Sequence, residues 1–147
     1  MKVSIKKFDE LTINELFDVA RARMKVFAIE QNVKEEDLDD KDKFAYHVML
    51  WEGEVLLAYC RILPSGLMFE EVALSRVITV KEHRGKNYGA YVVDKALDFI
   101  YSVLEEKRVK ISAQEQAIGF YEKHGFARGG EIYVEAGIRH TKMIKKF

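Results

Sequence analysis

Polar and apolar residues alternate over Lys2, Val3, Ser4, Ile5 and Lys6, the period of a short half-buried strand. The period then lengthens to that of a helix. Thr12 and Glu15 stand at capping-box spacing, and Ile13, Leu16, Phe17, Ala20, Met24 and Phe27 share one face, so a helix is expected from about Thr12 to residue 27. Residues 35–43, EEDLDDKDK, hold six carboxylates around the single apolar Leu38 and read as a solvated helix or loop. His47 to Trp51 and Val55 to Leu63, separated by a turn at Glu52 and Gly53, form a hairpin pattern. After a turn at Pro64, Ser65 and Gly66, the apolar run 67–80 ends in Val77, Ile78, Thr79 and Val80, the β-branched composition of a central strand.

Helical spacing returns from Tyr88 to Leu104 with Val92, Val93, Ala96, Leu97, Ile100 and Leu104 on one face. Val109 to Ala113 reads as a strand, and Ala117, Ile118, Phe120 and Tyr121 belong to a short helix with Gly125 at its C-cap. Residues 131–135 and 140–146 are expected to pair around Ala136 and Gly137. The order predicts an α/β (α+β) domain: a mixed, mostly antiparallel sheet of about six or seven strands flanked by about four helices.

A length of 147 residues, one proline, and no repeat or Gly/Ser linker point to a single domain over 1–147. Twenty-four Lys and Arg balance twenty-four Asp and Glu, which argues against a nucleic-acid binder that works by counterion release. No apolar run suits a membrane span or signal peptide, and the lone Cys60 has no partner for an internal disulfide, so a cytoplasmic location is expected. Cys60 reads as a small core residue, and four scattered histidines with no cysteine pair predict no metal site.

The most informative string is VITVKEHRGKNYGAYVV, residues 77–93, a strand that enters a glycine turn and then a helix. Amide N–H groups at a helix start lack intrahelical partners and sit at the positive end of its dipole, so they cradle phosphate groups. Arg84 and Lys86 add charge there. The Walker and Rossmann glycine patterns are both absent.

Arg84-Gly85-Lys86-Asn87-Tyr88-Gly89-Ala90 resembles the acetyl-CoA loop of the GNAT N-acetyltransferases, and residues 117–126, AIGFYEKHGF, resemble that family's second motif. The chain is similar in particular to the family's ElaA-type bacterial branch, through Arg23, Val26, Phe27, Glu30, Gln31 and Asn32, then Ala113-Gln114, then Gly137-Ile138, His140 and Met143. The resemblance spans nearly the whole chain. It departs at three points: Asn87 replaces a motif glycine, Arg139 a proline, and Ser75 a glycine or glutamate. Asn tolerates left-handed dihedrals, so the loop is expected to keep its shape.

The resemblance implies acetyl transfer from acetyl-CoA to a primary amine of a small molecule or peptide. It implies cofactor contacts from Val77, Ile78, Thr79, Arg84, Gly85, Lys86, Asn87, Tyr88, Gly89, Ala90, Gln114, Phe120 and Tyr121. A backbone N–H within Val77 to Thr79 would stabilise the oxyanion, and the Tyr121 phenol would protonate the departing thiolate. Glu71 is a candidate base because it precedes Ala73, Ser75, Val77 and Thr79 by multiples of two; a bulge would favour Glu70 instead. His140 and His47 also titrate in the useful range, and Glu30, Gln31, His47 and Arg76 are candidates for binding the acceptor. Arg76 and Arg139 would suit an anionic acceptor, whereas Glu30 and the 35–42 acidic run would suit a cationic one. An acyl-homoserine-lactone-synthase-like enzyme and a non-catalytic CoA-binding sensor are the rival readings, and the expected assembly is a monomer or a homodimer.

Overall fold

A computed structural model describes residues 1–147. It contains β1 (Lys2–Lys7), α1 (Ile13–Arg23) continued by a π-helical segment (Met24–Glu30), β2 (Tyr46–Glu52), β3 (Val55–Leu63), β4 (Val72–Thr79) and α2 (Tyr88–Ser102). It continues with β5 (Arg108–Gln114), α3 (Ile118–Lys123), β6 (Ala127–Arg128), β7 (Tyr133–Glu135) and β8 (Ile138–Lys146). The eight strands form one sheet in the order β1-β2-β3-β4-β5-β8-β6, with β7 also on β8. Strands are one or two more and α-helices one fewer than the periodicity predicts, because the closing segment splits into three strands and the acidic run forms no α-helix. No helix is long and apolar enough to cross a membrane.

Thr12 caps α1 as expected: its side chain accepts from the Glu15 amide, and the Glu15 carboxylate accepts from the Thr12 amide at 2.8 Å. The helix tightens its hold on the sheet through Val19, Ala22 and Val26, which pack on Met49, Trp51, Tyr59 and Ile78. On the other face, Val92, Val93, Ala96, Leu97 and Ile100 of α2 close the main core over Val48, Leu50, Cys60, Val72, Leu74, Val109, Ile111 and Met143. Burial raises the Cys60 thiol well above its ordinary pKa, so it remains a neutral core group.

Two irregularities position the site. Every neighbouring pair in the sheet is antiparallel except β4 with β5, and that parallel contact lasts only for Val72↔Val109 and Ala73↔Lys110. Beyond Ala73 the two strands part, leaving a gap in the middle of the sheet. The second irregularity is a bulge in β4: Tyr59 faces Ile78 but Arg61 faces Ser75, so β4 carries one extra residue, and Arg76 takes up the excess with φ 55°. The bulge exchanges the faces of the strand. Before it Val72 and Leu74 enter the α2 core, whereas after it Val77 does so and Ile78 turns to the α1 side.

Candidate active site

The turn into α2 is built as the sequence suggests, with left-handed conformations at Gly85 (φ 86°) and Asn87 (φ 62°). Asn87 therefore serves where glycine would be expected. Gly89 is needed for another reason: a Cβ there would lie 2.9 Å from Thr79 Oγ1, so its absence lets α2 start directly against β4. Thr79, Arg84, Gly85, Asn87, Tyr88, Gly89, Ala90 and Phe120 line one surface pocket beside the helix start. Lys86 lies exposed in the same turn.

A cavity of about 270 Å³ occupies the gap between β4 and β5. Leu74, Val77, Ala117 and Tyr121 line it, together with Phe27, Gln31, Ser112, Gln114, Glu135 and His140. Because the Val80 amide donates to Leu57 O on β3, period two turns the Val77 and Thr79 amides to the opposite edge, toward the gap. Ile78 differs: its side chain is buried against α1 and its amide faces β3, which removes it from the expected cofactor contacts.

Tyr121 comes to the gap from α3, held edge-on by Phe120 and Phe126. Its hydroxyl has no hydrogen-bond partner in the chain, and burial pushes the phenol above its ordinary pKa. The phenol is therefore neutral throughout the physiological range. His140 lies on the far side, 7% exposed and opposite Gln114 in the β5–β8 register. Its Nδ1 is 2.7 Å from Ile138 O, and a carbonyl only accepts, so Nδ1 carries the hydrogen and Nε2 of the neutral ring keeps its lone pair. The nearest acidic atom to Nε2 is Glu135 Oε2, at 3.9 Å, beyond hydrogen-bond distance. Gln31 and Gln114 exchange reciprocal amide hydrogen bonds of 3.3 and 2.9 Å across the gap.

Three expected site residues lie elsewhere. The bulge at Arg76 places Glu71 on the opposite face from Val77 and Thr79. Glu71 also sits at the start of β4, about 13 Å along the strand from Ser75, with Arg108 at 3.6 Å. Neither it nor Glu70 lines the cavity. His47 is sealed between Tyr59 Oη (2.7 Å from Nδ1) and Asp42 O (2.9 Å from Nε2), and burial lowers its pKa. Glu30 faces the cofactor loop rather than the acceptor side: Arg84 holds its carboxylate, at 2.8 and 3.0 Å, below the usual range.

The acidic run is not a solvated face. Three of its aspartates meet three arginines: Arg23 contacts Asp37 and Asp42 at 2.7 Å, Arg61 contacts Asp39 at 2.9 Å and Asp42 at 3.0 Å, and Arg76 contacts Asp37 at 2.8 Å. Arg23 and Arg61 are 0% and 1% exposed. Burial alone would raise the Asp42 carboxyl, but the Arg23 hydrogen bond and the charges of Arg23 and Arg61 hold it down at about 2. Burial and the nearby Arg61 charge lower the pKa of Arg76, whose guanidinium also stacks over Phe27. This network pins the 33–42 loop as one wall of a second cavity, about 340 Å³, that shares Phe27, Met68, Arg76, Gln114, Glu135 and His140 with the first.

Sequence reasoning missed Glu135 and Ser112. Ser112 was within reach of period two from Gln114, and Glu135 from its place opposite Ile138 in the closing hairpin.

Residues 15–147 match the family model described as an acetyltransferase (GNAT) domain. Protein ElaA of Escherichia coli is 33% identical over 139 residues, covering 93% of this chain and 91% of that protein. Its crystal structure superposes with a TM-score of 0.92 at 30% identity, covering 99% of this chain and 100% of the other. An acyl-CoA N-acyltransferase structure from Pseudomonas aeruginosa gives 0.91 at 29% identity, covering 98% of each chain. A CoA-dependent acyl-homoserine lactone synthase, at 14% identity and a TM-score of 0.81 over 98% of this chain and 82% of the other, shares the fold alone. A sheet parted between β4 and β5, a glycine turn opening α2 and a family match over nearly the whole length lead to one conclusion: the chain belongs to the GNAT acetyltransferase family.

Proposed function

We propose that the protein transfers the acetyl group of acetyl-CoA to a primary amine of a small molecule or peptide. One observation carries this reading. The gap between β4 and β5 joins the two faces of the sheet, with a partner-free phenol on one side and a partner-free imidazole nitrogen on the other.

The pyrophosphate would lie on the amides between Gly85 and Ala90, where the helix start favours anions. The acyl arm would follow the free edge of β4, placing the thioester oxygen against the Val77 amide. The acceptor arrives as an ammonium, because an amine with a pKa of about 10.4 is mostly protonated at neutral pH. His140 Nε2 takes one proton from it. The freed lone pair attacks the thioester carbon, forming the C–N bond, and negative charge collects on the oxygen facing Val77. Collapse breaks the C–S bond, Tyr121 Oη gives its proton to the sulfur, and the amide nitrogen loses its second proton to solvent. The products are the acetylated amine, CoA thiol and one proton; on product release the proton held by His140 returns to solvent and Tyr121 takes one back, which restores both groups.

The assembly we propose is a monomer or a homodimer in a reducing cytoplasm, a location that the lone buried thiol of Cys60 suits. Incubating the protein with acetyl-CoA and a panel of amines, with thiol release and product mass as readouts, tests the reading. Thiol release that requires the amine and yields a product heavier by one acetyl group is expected. Tight CoA binding with no amine-dependent release would favour a sensor instead.

A further inference from the structure

The charges around the second cavity decide what kind of amine fits, an inference that rests on the acetyl-transfer reading above. Arg23, Arg61 and Arg76 are neutralised by Asp37, Asp39 and Asp42, so the network contributes no net charge. What remains on the walls is Glu35, Glu36 and Glu135 against the single Lys41. None of these three glutamates has a lysine or arginine partner, and all three are exposed. Glu135 accepts only from Ser112 Oγ, at 3.1 Å. The arginines that would suit an anionic acceptor are already engaged: Arg76 by Asp37 and Asp39, and Arg139 by Glu115 at 3.1 Å.

A second, independent observation points to a ligand in this cavity. The imidazole of His140 is buried, yet its Nε2 lies on the cavity wall with no hydrogen-bond partner. Beside Glu135, it makes a station for one ammonium near the reacting thioester. Glu35 and Glu36, on the loop that forms the other wall, make a station for a second.

We infer that the acceptor is an aliphatic diamine or polyamine, acetylated at one nitrogen while Glu35 and Glu36 hold another ammonium group. Exposed ion pairs are individually weak, and two or three acting on one ligand give a preference of about 3- to 20-fold over a monoamine. Salt reduces that preference.

The test compares diaminobutane, butylamine and aminobutanoate, which share a carbon chain and differ at the far end. With acetyl-CoA and wild-type protein, kcat/KM is expected to fall in the order diamine, monoamine, carboxylate. The Glu35→Gln/Glu36→Gln double variant should bring the diamine-to-monoamine ratio close to one. Equal use of diamine and monoamine, preference for aminobutanoate, or a ratio untouched by the double variant would each overturn the inference while leaving amine acetylation standing. If no amine releases thiol, the acetyl-transfer reading fails. Calorimetric titration of diaminobutane and butylamine into CoA-saturated protein then decides the charge preference separately: tighter diamine binding, lost in the double variant, supports it, and equal binding overturns it.

Discussion

Arg84 grips Glu30 with both ends of its guanidinium, Nη1 to Oε2 at 2.8 Å and Nη2 to Oε1 at 3.0 Å, while its Nε donates to Thr79 O at 3.1 Å. The pair fastens the end of the π-helical segment to the loop that opens α2, and it offsets positive charge at the place proposed for the pyrophosphate. Glu30→Gln removes the negative partner but leaves the arginine. Acetyl-CoA affinity is expected to rise roughly 2- to 5-fold at low salt and less at moderate salt, the size of one exposed ion pair. Titration calorimetry at two salt concentrations checks this, and weaker binding by the variant would contradict it.

Gly89 and Thr79 are so close that any side chain at 89 must displace α2 or the threonine. Gly89→Ala is expected to cost about 1–3 kcal/mol of stability. Adding Thr79→Ala removes the atom in the way, so the double variant should recover part of the loss. A denaturant double-mutant cycle measures the coupling, and additive losses would show that the contact does not govern the approach.

Tyr121 and His140 are assigned opposite directions of proton transfer, and their variants should differ in pH dependence. Tyr121→Phe is expected to lower kcat about 10- to 10,000-fold at all pH values with little change in cofactor affinity. His140→Ala should instead regain rate as the pH rises toward the amine's own pKa, about 10.4, because an amine deprotonated in solution no longer needs the base. Rate profiles over pH for both variants with one amine separate the roles.

Asp42 contributes to the acid response of the fold. Its carboxyl, ordinarily near 3.8, is held at about 2, so the stability it contributes is full above 3.8 and is lost as the pH falls from about 4 through 2. Asp42→Asn leaves two buried guanidinium groups short of a counter-charge and is expected to cost about 3–5 kcal/mol at neutral pH. Urea unfolding between pH 5 and pH 2 should show a steeper decline in wild type than in the variant.

The elements that depend on local pattern were legible in the sequence: the capping box at Thr12, the β2–β3 hairpin, and the glycine turn leading into α2. The features that were not legible depend on pairing between distant residues. The β4 bulge is a matter of register against β3, and nothing in the string around Arg76 announces it. Glu71 fell out of the cleft for that reason. The acidic run looked solvated because its arginine partners are 14 to 39 residues away in sequence. The apolar face expected for α1 is not the one that packs: Ile13, Phe17 and Met24 are exposed while Val19, Ala22 and Val26 lie on the sheet, and nothing in the periodicity announces the π-helical winding over Met24–Glu30.

The two-pair contact between β4 and β5 also has a mechanical consequence. On one face the α2 core spans both halves of the sheet, but within the sheet itself the four N-terminal strands hold the four C-terminal ones by a seam two residues long. So short a seam is the weakest joint within the sheet, and a molecule hydrogen-bonded to both lips would act as a removable rivet. A CoA molecule bound as proposed would do part of the work of folding by coupling the C-terminal half to the rest, so amide exchange in β5 and β8 should slow more than in β2 and β3 when CoA is added.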